Sequence, residues 1–174
     1  MKRTICLLWI TLFSAVLFAQ EKNPVTFVVK QILPRQQKNL VAAVEEMPAD
    51  KFSYKPTEQQ MTFGHLVLHI IGSNNHLCST IGGIPEAKPS TPLKESDKDQ
   101  LVAALKASFE FCSTALDKVD DSKLGEEVEL FGGRKGPMAF ALIALTNDWA
   151  DHYSSAAMYL RLNGMLPPTA QPKK

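Results

Sequence analysis

Cysteine is scarce in this 174-residue chain: there are three, too few for a disulfide scaffold and without the C-x-x-C pair of a thioredoxin-like site. Charge of one sign is lacking too, since 19 Lys and Arg stand against 18 Asp and Glu. That balance excludes the basic face that nucleic-acid binding or an anionic membrane surface demands. There is no phosphate loop of the G-x-x-x-x-G-K-[ST] kind, no H-E-x-x-H zinc helix and no G-x-S-x-G nucleophile turn. No alternation of apolar and polar residues runs long enough for a sheet. What is present, 45% hydrophobic and 21% charged residues over a length that suits one domain, describes a globular chain with a real core. Disordered, collagen-like and multi-pass membrane proteins are excluded.

The first residues differ from the rest. Lys2 and Arg3 precede an uncharged run, Ile5 to Ala19, which is followed at once by polar Gln20-Glu21-Lys22-Asn23. A basic start, a short apolar stretch and a small residue before a polar segment make a secretory signal peptide over residues 1–19, cut after Ala19. The expected product is exported, periplasmic or secreted, with no stable membrane insertion once the signal is gone. Lys2 and Arg3 leave with the signal and no acidic residue does, so the formal charge moves from +1 to −1. Cys6 leaves as well, and Cys78 and Cys112 remain as a candidate disulfide in an oxidising compartment.

Four helical stretches account for nearly all of the mature chain, with the bundle domain expected over residues 24–168. The first runs from about Pro24 to Glu46, and Pro34 inside it predicts a kink or break because proline removes a backbone donor. The second starts at the cap Thr62 and ends at Gly82-Gly83, with Phe63, Leu66, Val67, Ile70, Asn74, Leu77 and Ile81 as its stripe. The third opens with Ser96 and Asp99 at capping-box spacing and carries Leu101, Leu105, Ser108, Cys112, Leu116 and Val119. Residues 120–137, with Gly125, Gly132, Gly133 and Gly136, read as irregular, with a short extended piece at Val128 to Phe131. The glycine-rich segment from Gly132 to Gly136 is a turn, since no strand–loop–helix unit surrounds it. The fourth stretch, Met138 to Asn163, has the stripe Met138, Leu142, Leu145, Trp149, His152, Ala156 and Tyr159, and ends at Asn163-Gly164.

Four amphipathic helices without strands predict an all-α four-helix bundle. The proline-rich connection from Gly83 to Glu95 is long enough to cross it, placing helices two and three parallel in an up-down-down-up order. Only in that order do Cys78 and Cys112 lie at the same height, so the bridge and the crossover stand or fall together.

Candidate chemistry sits on the second and fourth helices. His152 falls on a core stripe, and Asp148 lies one turn before it. His65, His69 and His76 share one face of the second helix, with His69 near its middle at the edge of the buried stripe. An imidazole from one helix and an Asp-x-x-x-His pair from another can converge on a catalytic divalent metal, which needs three N/O ligands and open positions. The same spacing also suits a hydrogen-bonded helical pair beside a satisfied core histidine. His76, Asn74 and Tyr159 are candidate pocket residues. For His76 a polar flank position, and for Tyr159 a core aromatic whose hydroxyl finds a partner, are the simpler readings. His65, third after the Thr62 cap, is expected to reach back to the cap backbone.

These segments resemble a known family. Met47-Pro48, Tyr54-Lys55-Pro56 and the run Thr62 to His69 look like the first half of the DinB-like (damage-inducible-type) proteins. Asn147 to Tyr153, then Tyr159 to Gly164 and Pro167-Pro168, look like the second and more specific half. The resemblance implies a four-helix bundle with crossed connectivity and a divalent metal held by one histidine of the second helix and two residues one turn apart on the last. Position by position, His69 and His152 match the family's histidines. Asp148 stands where another histidine is most common, and Ser154-Ser155 stand where Gly-Gln is common. The resulting two-His-one-Asp set suits Zn, Ni, Fe or Mn. Relatives include metal-dependent thiol S-transferases and proteins of hydrolase type. The expectation is therefore a metalloenzyme acting on a small molecule, against a non-catalytic metal-binding or interaction bundle. A homodimer is compatible with either.

Overall fold

The computed structural model describes residues 21–89 and 91–172. The signal segment 1–19 lies outside them. Four long helices dominate: α1 (Pro24–Glu46), α2 (Phe63–Gly82), α3 (Lys98–Leu116) and α4 (Met138–Leu162), with a small hairpin, β1 (Glu127–Glu129) and β2 (Lys135–Pro137), between α3 and α4. None of the described helices is long and apolar enough to cross a membrane.

Each helix start has a traceable cause. The first turn of α1 has proline but no cap of its own. Asp121, beyond the end of α3, supplies one: its carboxylate accepts from the Val25 and Thr26 amides at 2.7 and 3.2 Å. Asn23 answers by accepting from the Asp121 amide at 2.9 Å. Pro34 neither breaks nor ends α1, which runs unbroken to Glu46. The ring faces solvent, so the carbonyl deprived of its partner can be hydrated instead. In α2 the Thr62 hydroxyl accepts from the His65 amide at 3.1 Å, and Gly83 closes the helix in the left-handed conformation. The start of α3 differs from expectation by one residue: Asp97, not Ser96, is the cap, accepting from Gln100 at 3.1 Å. A capping carboxylate gains from the helix dipole as well as from the hydrogen bond, which favours it over the neighbouring serine.

The predicted crossover is present. Asp121 joins the beginning of α1 to the end of α3, and Lys98 at the beginning of α3 donates to the Glu45 and Met47 carbonyls at the end of α1, so α1 and α3 are antiparallel. In contrast α2 and α3 are parallel and very close at both ends. A side chain at Gly64 would fall 2.1 Å from the Glu95 carbonyl oxygen, and one at Gly82 would fall 2.8 Å from Ala115. The Tyr159 hydroxyl reaches the Met61 carbonyl, which sets α4 antiparallel to α2. The order is up-down-down-up, and Cys78 and Cys112 are bridged between the parallel pair, their Cα atoms 5.0 Å apart. Trp149, Phe52, Phe63, Phe109, Leu40 and Met47 are fully buried at the centre.

The 120–137 segment is more ordered than its composition indicates. The extended piece is Glu127–Glu129, and it pairs antiparallel with Lys135–Pro137, Val128 opposite Gly136. The expected piece at Val128 to Phe131 is therefore shifted, and Phe131 to Gly133 form the turn. Gly132 and Gly133 both have φ near 70°, so only a glycine pair makes this turn without strain. The carbonyls of Glu126 and Leu124 accept from Met138 and Ala139, satisfying orphan donors at the start of α4.

Candidate metal centre

Midway along α2 and α4, three side chains meet. Phe63, Leu66 and Ile70 turn one face of α2 into the core and leave His69 at the rim, exposed. On α4, Leu145, Trp149 and Ala156 bury the stripe that carries His152, with Asp148 half-buried beside it. One donor atom from each of His69, Asp148 and His152 lies within 4.8 Å of the others. The two imidazole rings are 4.9 Å apart, centroid to centroid, inclined at 66°.

The Asp148 carboxylate and the His152 Nδ1 are 3.1 Å apart. Their alignment is poor for a hydrogen bond, so the buried Asp148 Oδ2 and His152 Nδ1 have only each other's charge as compensation. Orphaned buried polar atoms are costly, and a helical hydrogen-bonded pair would have removed the cost. Ion ligation removes it too: bonds of about 2.0–2.2 Å put neighbouring ligand atoms roughly 3 Å apart. The donor set, two imidazoles and one carboxylate, suits a borderline divalent cation. This group could hold a metal ion. Among the described residues no further histidine, cysteine or carboxylate joins it, and His69 faces solvent.

The imidazoles differ electrostatically. Burial and the charge of His152 hold His69 below its ordinary value. Burial pushes His152 down as well, but the adjoining Asp148 carboxylate more than offsets it and holds His152 above its ordinary value.

A cavity of about 330 Å³ opens beside His152, lined also by Gln59, Gln60, Met61, Ser155 and Tyr159. Of the three candidate pocket residues, Tyr159 alone lines it, its hydroxyl donating to the Met61 carbonyl at 2.7 Å. Asn74 is elsewhere: fully buried, it donates to Ser108 at 2.9 Å and accepts from Trp149 Nε1 at 2.7 Å, tying α2 to α3 and α4. It is a core bridge, with no surface to offer a substrate. His76 is also removed from the cluster's cavity, packing its ring on Phe131 of the hairpin turn at 4.5 Å. His65 does not reach back to the cap backbone. Its Nδ1 meets Glu95 Oε1 at 2.8 Å, and Glu95 also accepts from the Thr62 hydroxyl at 2.7 Å. Asp151 and Ser155 also reach the cluster's cavity, three residues beyond Asp148 and His152 on the same helical face, a spacing from which they could have been found. Gln59 and Gln60 had no signal, because a connection carries no period.

Parallel α2 and α3, crossed connections and a His-Asp-His group between α2 and α4 define the class: a four-helix bundle with a candidate metal site in one seam. The profile of the DinB superfamily matches residues 32–154, and the chain belongs to that superfamily. Its fold is similar to that of a DinB-like protein from Bacillus subtilis, 22% identical, with a TM-score of 0.66 over 84% of this chain and 99% of that one. It is likewise similar to a DinB-like protein from Bacillus cereus, 16% identical, with a TM-score of 0.67 over 80% and 93%. No curated protein matches the chain.

Proposed function

We propose that this protein is an exported, divalent-metal-dependent enzyme of the DinB superfamily, with His69, Asp148 and His152 as its ligands and a small molecule as substrate. The observation that carries the reading is the convergence of His69, Asp148 and His152 from two helices, with one ligand atom of each within 4.8 Å of the others. A bound Zn, Ni, Fe or Mn ion supplies Lewis acidity, polarising a substrate group or making a bound water or thiol acidic enough to react near neutral pH. Thiol S-transfer and hydrolysis are the two reaction classes in view. The chain's own part is positional. Asp148 and His152 are fixed by one helical turn, His69 leaves a solvent-facing side, and Tyr159 walls the cavity with its hydroxyl held by Met61. The bridge Cys78–Cys112 supports export, since disulfides persist in oxidising compartments.

Elemental analysis of purified mature protein tests the ligand set. Stoichiometric metal is expected in the wild type and none in Asp148→Ala or His152→Ala; metal that survives both substitutions overturns the assignment. Azide or a small thiol should then shift the visible spectrum of the cobalt-substituted protein. An unresponsive spectrum means a closed site and a non-catalytic bundle.

A further inference from the structure

The metal reading leaves one surface feature unused. Three large apolar side chains stand together in solvent at the hairpin end of α4: Phe131 is 41% exposed, Phe140 51% and Ile143 58%. They line one groove of about 470 Å³, and Asp148 and Asp151 line it too. Contiguous exposed apolar surface is costly to keep and marks a place where something binds. The volume falls in the range that small-molecule sites occupy, roughly 300–1,000 Å³.

Charge along the groove is uneven. Arg134 is the single cation on its lining, and its Nε donates to the Phe131 carbonyl at 3.4 Å, which ties the guanidinium to the hairpin turn. The carboxylate Asp148 belongs to the candidate metal centre, and a bound cation would offset its charge there. Asp151 is not among the ligands and stays exposed where the groove meets the cavity beside His152. An anionic group is therefore drawn to Arg134 and repelled from Asp151, which gives a long molecule one preferred direction.

The geometry points to an amphiphilic organic anion as the substrate of the metal centre. Its aromatic or branched apolar body would lie over Phe131, Phe140 and Ile143, its carboxylate or sulfonate on Arg134, and its reacting group at Asp148. That the occupant is a substrate rests on the metal reading above; that the groove binds such an anion does not. A concave groove leading to a candidate ligand suits a small molecule better than a second copy, which would need a larger and flatter face.

The fluorescent probe 8-anilino-1-naphthalenesulfonate has the required combination of aromatic body and anionic group. Titrated into the folded full-length mature protein, it should bind with a single strong site. Arg134→Gln should weaken binding about tenfold, as expected for one charge-assisted contact. The double variant Phe140→Ser with Ile143→Ser should abolish it. Phe27→Ser, at an equally exposed position on α1, should leave it unchanged. Wild-type protein stripped of metal with a chelator should still bind the probe, so failure of the metal assignment and failure of the groove are read separately. Equal binding by wild type, Arg134→Gln and the double variant overturns the proposal. So does a wild-type dimer in sedimentation that the double variant dissociates and the probe does not enter, since the groove is then a contact between copies.

Discussion

Helix α2 has two seams, and they are joined in different ways. Toward α3, the two helices are pinned at three levels. The Cys78–Cys112 bridge, the Asn74–Ser108 hydrogen bond and two glycines set the helices against one another, and the polar groups of Asn74 and Ser108 are paired. Toward α4, half a helix turn away, Asp148 and His152 carry buried atoms with no hydrogen-bond partner, and His69 faces water. One side is fastened by a covalent bridge and a paired amide, and the other gathers three side chains that could hold a metal ion. Asn74 and His69 are five residues apart on the same helix, yet Asn74 belongs to the scaffold and His69 to the candidate site.

The largest effect expected is on the open seam alone. Ligating imidazoles must be neutral, so protons compete with the metal. His152, held above its ordinary value by Asp148, is the harder of the two to deprotonate, whereas His69 gives up its proton first. Metal affinity should fall as pH drops through the range in which His152 gains its proton, a range that begins above the ordinary imidazole value, by on the order of tenfold per pH unit for each competing proton. Isothermal titration with zinc between pH 5 and 8 measures this. An affinity independent of pH would mean that carboxylates other than Asp148 hold the ion.

Reducing the disulfide attacks the closed seam. With the cysteines 34 positions apart in sequence, the loop-closure treatment gives about 3–4 kcal/mol as the entropic contribution of the bridge. Denaturant unfolding of a Cys78→Ser, Cys112→Ser variant should show a loss of that order, while the native fraction still binds metal stoichiometrically. Loss of metal from a folded variant would show that the two seams are coupled, and the contrast would fail.

Next in size is Asn74→Ala. It strands the buried Trp149 indole N–H and removes the Ser108 contact, so a loss of about 2–3 kcal/mol is expected with the metal site unchanged. If enzyme activity is found, its KM and kcat should not move, because the side chain has no access to the cavity.

The division between what was and was not legible in the sequence follows the same line. Helix ends depend on local chemistry, such as Thr62, Gly83 and Pro24, and these were readable. So was the crossover, because the length of the Gly83 to Glu95 connection and the heights of Cys78 and Cys112 constrain each other. The His69, Asp148 and His152 group was legible because i, i+4 spacing puts two donors on one side of a helix. Contacts between segments with no shared period were not. Nothing local shows that Asp121 caps α1, that Asn74 faces α3 and Trp149 at once, or that a glycine-rich stretch closes a hairpin over His76. The exposed groove was hidden for the same reason: Phe131 comes from the hairpin turn, and Phe140 and Ile143 from a helix face whose stripe points elsewhere.

The smallest effect tests how far the closed seam extends toward the surface. Glu95 joins the beginning of α2 to the entrance of α3 through Thr62 and His65. Those two contacts, the Thr62 hydroxyl first, hold its carboxyl below the ordinary value. A carboxyl depressed on folding adds stability above its unfolded pKa, and that stability is lost as pH falls through the folded one. The group is solvent-exposed and screened, so Glu95→Gln should cost under about 1 kcal/mol at neutral pH. The difference should vanish in acid, where the wild-type carboxyl is also neutral. Urea midpoints of the two proteins across that range measure it. A cost that persisted in acid would place the contribution of Glu95 in packing around Gly64, where its own backbone carbonyl already excludes any side chain.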